Sequence, residues 1–331
     1  MGNLSSSFTL LFALLVLAGP AAGQPASTGS GQAYPSKPIR MIIGFPPGGG
    51  TDIIGRIVAQ RMSEGLKQQI LPDNRGGASG QIAAELAAKA PPDGYTVMMA
   101  HIAAMSILPS LYPKLPYDPV NDFASVTLVA ISPNLVIVHP TLPVKSIKEL
   151  IALAKARPGQ IHYESSGVGT VQHLAGELFK LQAKVNLLHV PYKGAGPAII
   201  DLVAGHVQLG FDVIPVAGPQ VKAGKLRALG VTSAKRSALF PDLPTVTESG
   251  VADFDMSTWW GLVAPAAVNK DVIARLSAET LRALRLPDVK ERIAAAGADV
   301  VGNSPEEFAA FIRNERAKYA RIVKEANIKI E

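Results

Sequence analysis

The 331-residue sequence contains no cysteine, which excludes disulfides, thiolate metal sites and a cysteine nucleophile. It has no basic block interleaved with aromatics. Its 32 Lys and Arg are scattered from Lys37 to Lys329 among 26 acids, the pattern of a solvated surface and not of a nucleic-acid track. Nucleotide motifs fail as well. Gly224-Lys225 is followed by Leu226 where a P-loop needs Ser or Thr, and a G-x-G-x-x-G frame begun at Gly48 and Gly50 places Ile53 where its third glycine belongs. The histidines at 101, 139, 162, 173, 189 and 206 form no H-E-x-x-H, and no G-x-S-x-G elbow occurs. No metal or cofactor is expected.

What is present describes a packed globular protein: 48% hydrophobic against 18% charged residues, with a net charge of +6. A mildly positive chain favours anionic small molecules by long-range attraction, and the length suffices for two lobes. Residues 8–18, FTLLFALLVLA, are too short to cross a bilayer as a helix. With the small residues Ala21, Ala22 and Gly23 behind them, they are expected to be the apolar region of a signal peptide cut before Gln24. The usual basic segment is missing, since Met1 to Ser36 holds no Lys or Arg. Residues 1–23 are thus assigned to a signal peptide and 24–34 to a flexible segment, and the mature protein is expected in the periplasm.

From Ile39 short apolar runs alternate with amphipathic segments, which predicts an α/β fold with a mainly parallel sheet. IRMIIGF (39–45) reads as a buried strand. The next segment places Ile53, Ile54, Ile57, Val58 and Met62 on one helical face, with Thr51 or Asp52 as N-cap. A helix at 80–90 and a strand at 95–100 follow. PNLVIVHP (133–140) opens a second β-α-β-α-β series that closes with VQLGFDVI. Near the C-terminus come an aromatic strand at 256–265 and two amphipathic helices, the last with Ser304 and Glu307 at capping-box spacing. The expected organisation is a two-lobed α/β protein: residues 35–135 in the first lobe, 136–256 in the second, and 257–331 returning to the first. A ligand cleft belongs between such lobes.

Two glycine loops carry the chemistry. FPPGGGTD (45–52) leaves the first strand and opens a helix; SSGVGT (165–170) does the same in the second lobe. The first amides of a helix lack intrahelical partners and sit at the positive end of its dipole, so a glycine turn feeding a helix presents N–H groups to an anion. A turn whose glycines serve only the backbone is the alternative for either loop alone. Two loops at equivalent places suggest facing pockets for a small carboxylate. Asp212, at the end of VQLGFD, reads either as a cleft acceptor or as a loop cap. Trp259 and Trp260 read as packing residues. A hydrolase assembled from Ser166, His173 and Asp212 is the catalytic alternative, and a carboxylate sensor reporting to a membrane partner is another.

The segments YPSKPIRMIIGFPPGGGTDIIGRIVA, NRGGASGQIAAELAAKAPPDGYTV, SSGVGTVQHLAGE, VPYKGAGPAIIDLVAGHVQLGFD and GKLRALGVTSAKRSALFPDLPTVTESG resemble, in unbroken order from about Tyr34, the Bug-type solute receptors of tripartite tricarboxylate transporters. The resemblance implies a non-enzymatic, monomeric periplasmic-binding-protein fold whose lobes close on a carboxylate and deliver it to membrane subunits. Carried onto this sequence, it implies ligand contacts from Phe45, Gly48, Gly49, Gly50, Thr51 and Asp52 in the first loop. From the second it implies Ser166, Gly167, Gly169, Thr170 and His173. His101, Tyr192 and Asp212 complete the expected set. Pro46-Pro47, Glu164 and His101 depart from the usual pattern, and His101 and Glu164 bear on specificity if they face the cleft.

Overall fold

A computed structural model describes residues 34–329. The expected signal peptide and nearly all of the flexible segment lie outside the described residues. Tyr34 onward forms one compact unit, in which no helix is long and apolar enough to cross a membrane.

The first βα series comprises β1 (Ile39–Ile43), α1 (Gly50–Leu66), β2 (Ile70–Asn74), α2 (Gln81–Ala88) and β3 (Thr96–His101), followed by a π-helical turn over Ala103–Ile107 and α3 (Leu108–Leu111). The second runs from β4 (Phe123–Val138) through α4 (Ile147–Ala156), β5 (His162–Ser165), α5 (Val171–Ala183), β6 (Leu188–Pro191), α6 (Ala195–Ala204), β7 (Leu209–Val213) and α7 (Ile214–Lys222) to β8 (Arg227–Val231). The chain ends with β9 (Ser257–Pro265), α8 (Lys270–Arg285), α9 (Pro287–Ala295), β10 (Asp299–Val300) and α10 (Pro305–Glu325).

The strands join in the order β2-β1-β3-β9-β4-β7-β5-β6, with β8 and β10 also paired to β4. β1 is parallel to both neighbours, and β5 is parallel to β6 and β7. Apart from Arg40, which pairs with Asp73, the residues of β1 are apolar and buried. The antiparallel pair β4 and β9 forms the middle of the sheet. Residues Phe123–Pro133 of β4 pair with β9, and Asn134–Val138 pair with β7 and β8. One strand therefore serves both halves. The C-terminal helices return to the first half: Arg61 of α1 bridges to Asp288 of α9 at 2.8 Å, and the Arg282 guanidinium of α8 donates to the Arg61 carbonyl at 2.9 Å.

Local signals account for most helix ends. Ser304 and Glu307 form the reciprocal capping box that their spacing predicts, and the Ser146 hydroxyl accepts from the Glu149 amide at 3.2 Å. The expected N-cap of α1 is corrected. Gly49 takes that position with no side-chain cap, while Thr51 and Asp52 lie inside the first turn. β4 also extends ten residues upstream of its predicted start.

Candidate functional site

The carboxyl ends of β1, β5 and β6 each turn directly into a helix, and the three turns meet. They enclose a narrow inner cavity lined by Phe45, Pro46, Gly49, Gly50 and Thr51 from the first turn. The second turn supplies Ser166 and Gln172 and the third Ala195 and Gly196, while His101, Val213 and Trp260 complete the wall. An outer cavity of about 740 Å³ shares Phe45, Pro46 and Ser166 with it and extends past Ser79, Tyr112, Gly167, Tyr192 and Gly194.

The first turn is fixed from behind. Asp52 is 4% exposed. Its Oδ2 accepts the Gly48 N–H at 3.0 Å, and its Oδ1 accepts from Arg56 Nε at 2.8 Å and Asn74 Nδ2 at 2.9 Å. The same Asn74 amide donates to the Phe45 carbonyl at 2.9 Å. With Asp52 spent on the loop and no side chain capping α1, the leading amides of that helix are left without intrahelical partners at the cavity wall. Gly50 must be glycine because a Cβ would stand 2.9 Å from Trp260 Cζ2 and 3.2 Å from Val213 Cγ2. Trp260 in turn donates from Nε1 to Thr51 Oγ1 at 3.0 Å. His101 packs edge-on to Phe45 with centroids 4.6 Å apart. Its Nδ1 accepts the Ala103 N–H at 3.1 Å, and burial pushes it down to about 3, so the neutral ring carries its proton on Nε2.

The second turn spends its amides differently. The Ser165 hydroxyl meets Gly167 and His189 Nε2, the latter at 2.7 Å. The Gly169 N–H donates to His173 Nδ1 at 3.2 Å, and the Thr170 hydroxyl donates to the Gly167 carbonyl at 2.7 Å instead of capping α5. Behind this loop Tyr163, His189 and His173 stack, with centroids 4.8 Å and 4.2 Å apart. Burial lowers His173 to about 4 and His189 to about 3, so both rings are neutral at pH 7. Gly167, at φ +140°, occupies a conformation other residues rarely adopt, and a Cβ there would meet Ser79 Oγ at 2.9 Å. That Ser79 hydroxyl donates to the Val168 carbonyl at 2.5 Å, joining the two halves across the outer cavity.

The third turn, YKGAG, enters α6 with Gly194 as an uncapped N-cap. Ala195 and Gly196 therefore bring a second open helix N-terminus to the inner cavity. Neither residue was expected at the site, although the sequence signal, a strand end followed by Gly-x-Gly and a helix, is the same as in the other two loops. Gln172 was also missed, because a glutamine in an amphipathic helix carries no motif.

The expected residues are thus distributed over three places. Phe45, Gly49, Gly50, Thr51, His101 and Ser166 line the inner cavity, and Gly167 and Tyr192 line the outer one. Gly48 lies on the exposed rim, while Asp52, Gly169, Thr170, His173 and Asp212 stand behind the walls. Asp212 accepts from Gln172 Nε2 at 3.2 Å and from the Val213 N–H at 2.7 Å. Its partner group Glu164 is fully buried, and burial together with the Asp212 charge pushes its carboxyl well above the ordinary range. Burial raises Asp212 to about 6. The segments of the hydrolase alternative do not form a relay: the His173 ring is bonded to Gly169, and Asp212 to Gln172 and Val213.

Comparison with known proteins gives a consistent picture. The periplasmic binding protein BugD is 35% identical, with 90% of this chain and 100% of that one covered and a TM-score of 0.86. Rpa4515 of R. palustris, solved with adipate, is 35% identical with 89% and 99% covered and a TM-score of 0.87. MatC of Rhodopseudomonas palustris, solved with bound malate, is 31% identical with 88% and 100% covered and a TM-score of 0.84. The two-lobed binding-protein architecture extends to this chain. The family model described as the tripartite tricarboxylate transporter family receptor matches residues 54–328, and this chain belongs to that family.

Proposed function

We propose that the protein is a periplasmic receptor that captures one small carboxylate, a dicarboxylate, amino acid or aromatic acid, and delivers it to the membrane subunits of a tripartite tricarboxylate-type transporter. It acts as a monomer, with residues 35–135 and 257–331 as one lobe and 136–256 as the other. The observation that carries this reading is the convergence of the uncapped N-termini of α1 and α6 on one cavity. Both present fixed amides to an anion. Neither needs a Lys or Arg, which suits reversible capture. The adipate and malate held by two relatives are the chemistry such a site takes.

Gly50 and Thr51 on one side, and Ser166, Ala195 and Gly196 on the other, hold a carboxylate in the inner cavity, while the outer cavity takes the rest of the molecule. Phe45 and His101 shape the floor. Asp52, Gly169, Thr170 and His173 position the loops. A thermal-shift screen of C4–C6 dicarboxylates, amino acids and aromatic acids, followed by product analysis of each hit, tests the proposal. One ligand bound per chain with no turnover is expected. Product beyond one equivalent would refute it, as would binding by no carboxylate. A sensor would bind the same ligands, and co-purification of transporter membrane subunits with the ligand-loaded protein separates the two roles.

A further inference from the structure

Gln172 lines the inner cavity yet belongs to none of its anion-binding groups. It is the second residue of α5 and only 3% exposed. Its Nε2 donates to Asp212 Oδ1, which also takes the Val213 N–H. Its Oε1 has no hydrogen-bond partner among the described residues. The orientation is set chemically: turning the amide over would place its carbonyl against a carboxylate oxygen, two acceptors facing each other. Asp212 therefore fixes the amide nitrogen toward itself and leaves the carbonyl oxygen as a buried, unpaired acceptor on a residue that lines the cavity.

We infer that Gln172 is a specificity-determining residue that requires a hydrogen-bond donor on the ligand, so that the preferred substrates are carboxylates also bearing a hydroxyl or ammonium group. The inference rests on the proposed carboxylate site. The carboxylate occupies the amides of Gly50 and Thr51, and the donor on the same small molecule meets Gln172 Oε1. Behind the cavity wall, Asp212 Oδ2 and both Glu164 oxygens also have no partner among the described residues. A ligand lacking the donor leaves the Gln172 carbonyl buried and unpaired, which disfavours it beyond the loss of one bond.

The test is calorimetric titration of the purified protein with matched sets: succinate, malate and aspartate; glutarate, 2-hydroxyglutarate and glutamate; phenylacetate, mandelate and phenylglycine. Within the set that binds, a donor-bearing member is expected to bind at least about tenfold more tightly than the plain acid, the scale of one buried hydrogen bond. The hydroxyl and ammonium members then show which donor is taken. Gln172→Met is expected to abolish that preference by weakening the donor-bearing ligand about tenfold relative to the plain acid. Binding of plain and donor-bearing acids with equal affinity overturns this inference and leaves the carboxylate reading standing. Equal weakening of both by Q172M also overturns it. Binding of none of the nine overturns this inference, and binding of no carboxylate in the wider screen overturns the carboxylate reading as well. The wild-type comparison needs no variant, so it decides the matter even if Q172M fails to fold.

Discussion

Replacing Glu164 by glutamine should stabilise the protein, and by an amount that grows with pH. Glu164 lies on β5 with its side chain over Gly210 of β7, where a Cβ would collide with Oε1. It is fully buried and its carboxyl is held well above the ordinary 4.5, first by burial and then by the Asp212 charge. The unfolded chain ionises near 4.5, so above that pH folding must take up a proton at Glu164. The contribution to stability is fully present below 4.5 and is lost as pH rises toward the folded-state value, by about 1.4 kcal/mol for each pH unit. Glutamine has nearly the same shape and no proton to acquire. Urea unfolding of wild type and E164Q at pH 4, 5, 6 and 7, followed by fluorescence of the fully buried Trp259 and Trp260, should give stabilities that diverge from pH 5 upward at that slope. The m-value should not change, because the buried surface is the same. Parallel curves would refute the argument, and so would an E164Q protein less stable than wild type at pH 7.

Three further outcomes are expected. Gly50→Ala forces its Cβ against Trp260 and Val213 and should cost about 1–3 kcal/mol by overpacking, with weaker carboxylate binding in calorimetry; unchanged affinity would show that α1 does not form the ligand wall. Asp52→Ala removes the acceptor of Gly48, Arg56 and Asn74 and should cost about 2 kcal/mol in urea unfolding, whereas an unchanged midpoint would mean the turn holds itself. His173 is neutral in the fold, with a value of about 4 against 6.5 in the unfolded chain, so its contribution is present above 6.5 and is lost as pH falls toward 4, amounting to about 3 kcal/mol. His173→Gln should show that much less acid destabilisation, and an identical pH profile would count against the buried neutral ring.

Much of the fold was legible because it is written in local patterns. The apolar run of β1 and the stripe of Ile54, Ile57, Val58 and Met62 on α1 need no tertiary information. Elements set by their neighbours were not legible. β2 (ILPDN) is a polar edge strand paired to β1 alone, and α7 carries Pro219 inside a helix that packing sustains. At the site, the glycine turns were visible as backbone grammar. The sequence could not show which amides face the cavity, because that depends on where side chains such as Asp52 and His173 spend their acceptors. Gln172 acquires its role only through Asp212, forty residues away and on a different element.

The continuity of β4 has a mechanical consequence. A joint made of loops lets two bodies swing freely, but here a single sixteen-residue strand carries β9 on its first part and β7 and β8 on its second. Its ladder is already irregular between Ser125 and Thr127, between Leu128 and Ala130, and between Val136 and Ile137, and such bulges let a strand bend and twist without parting from its partners. Any relative motion of the two halves would have to twist this strand. The part that yields when the jaws move would be the same strand that holds them together.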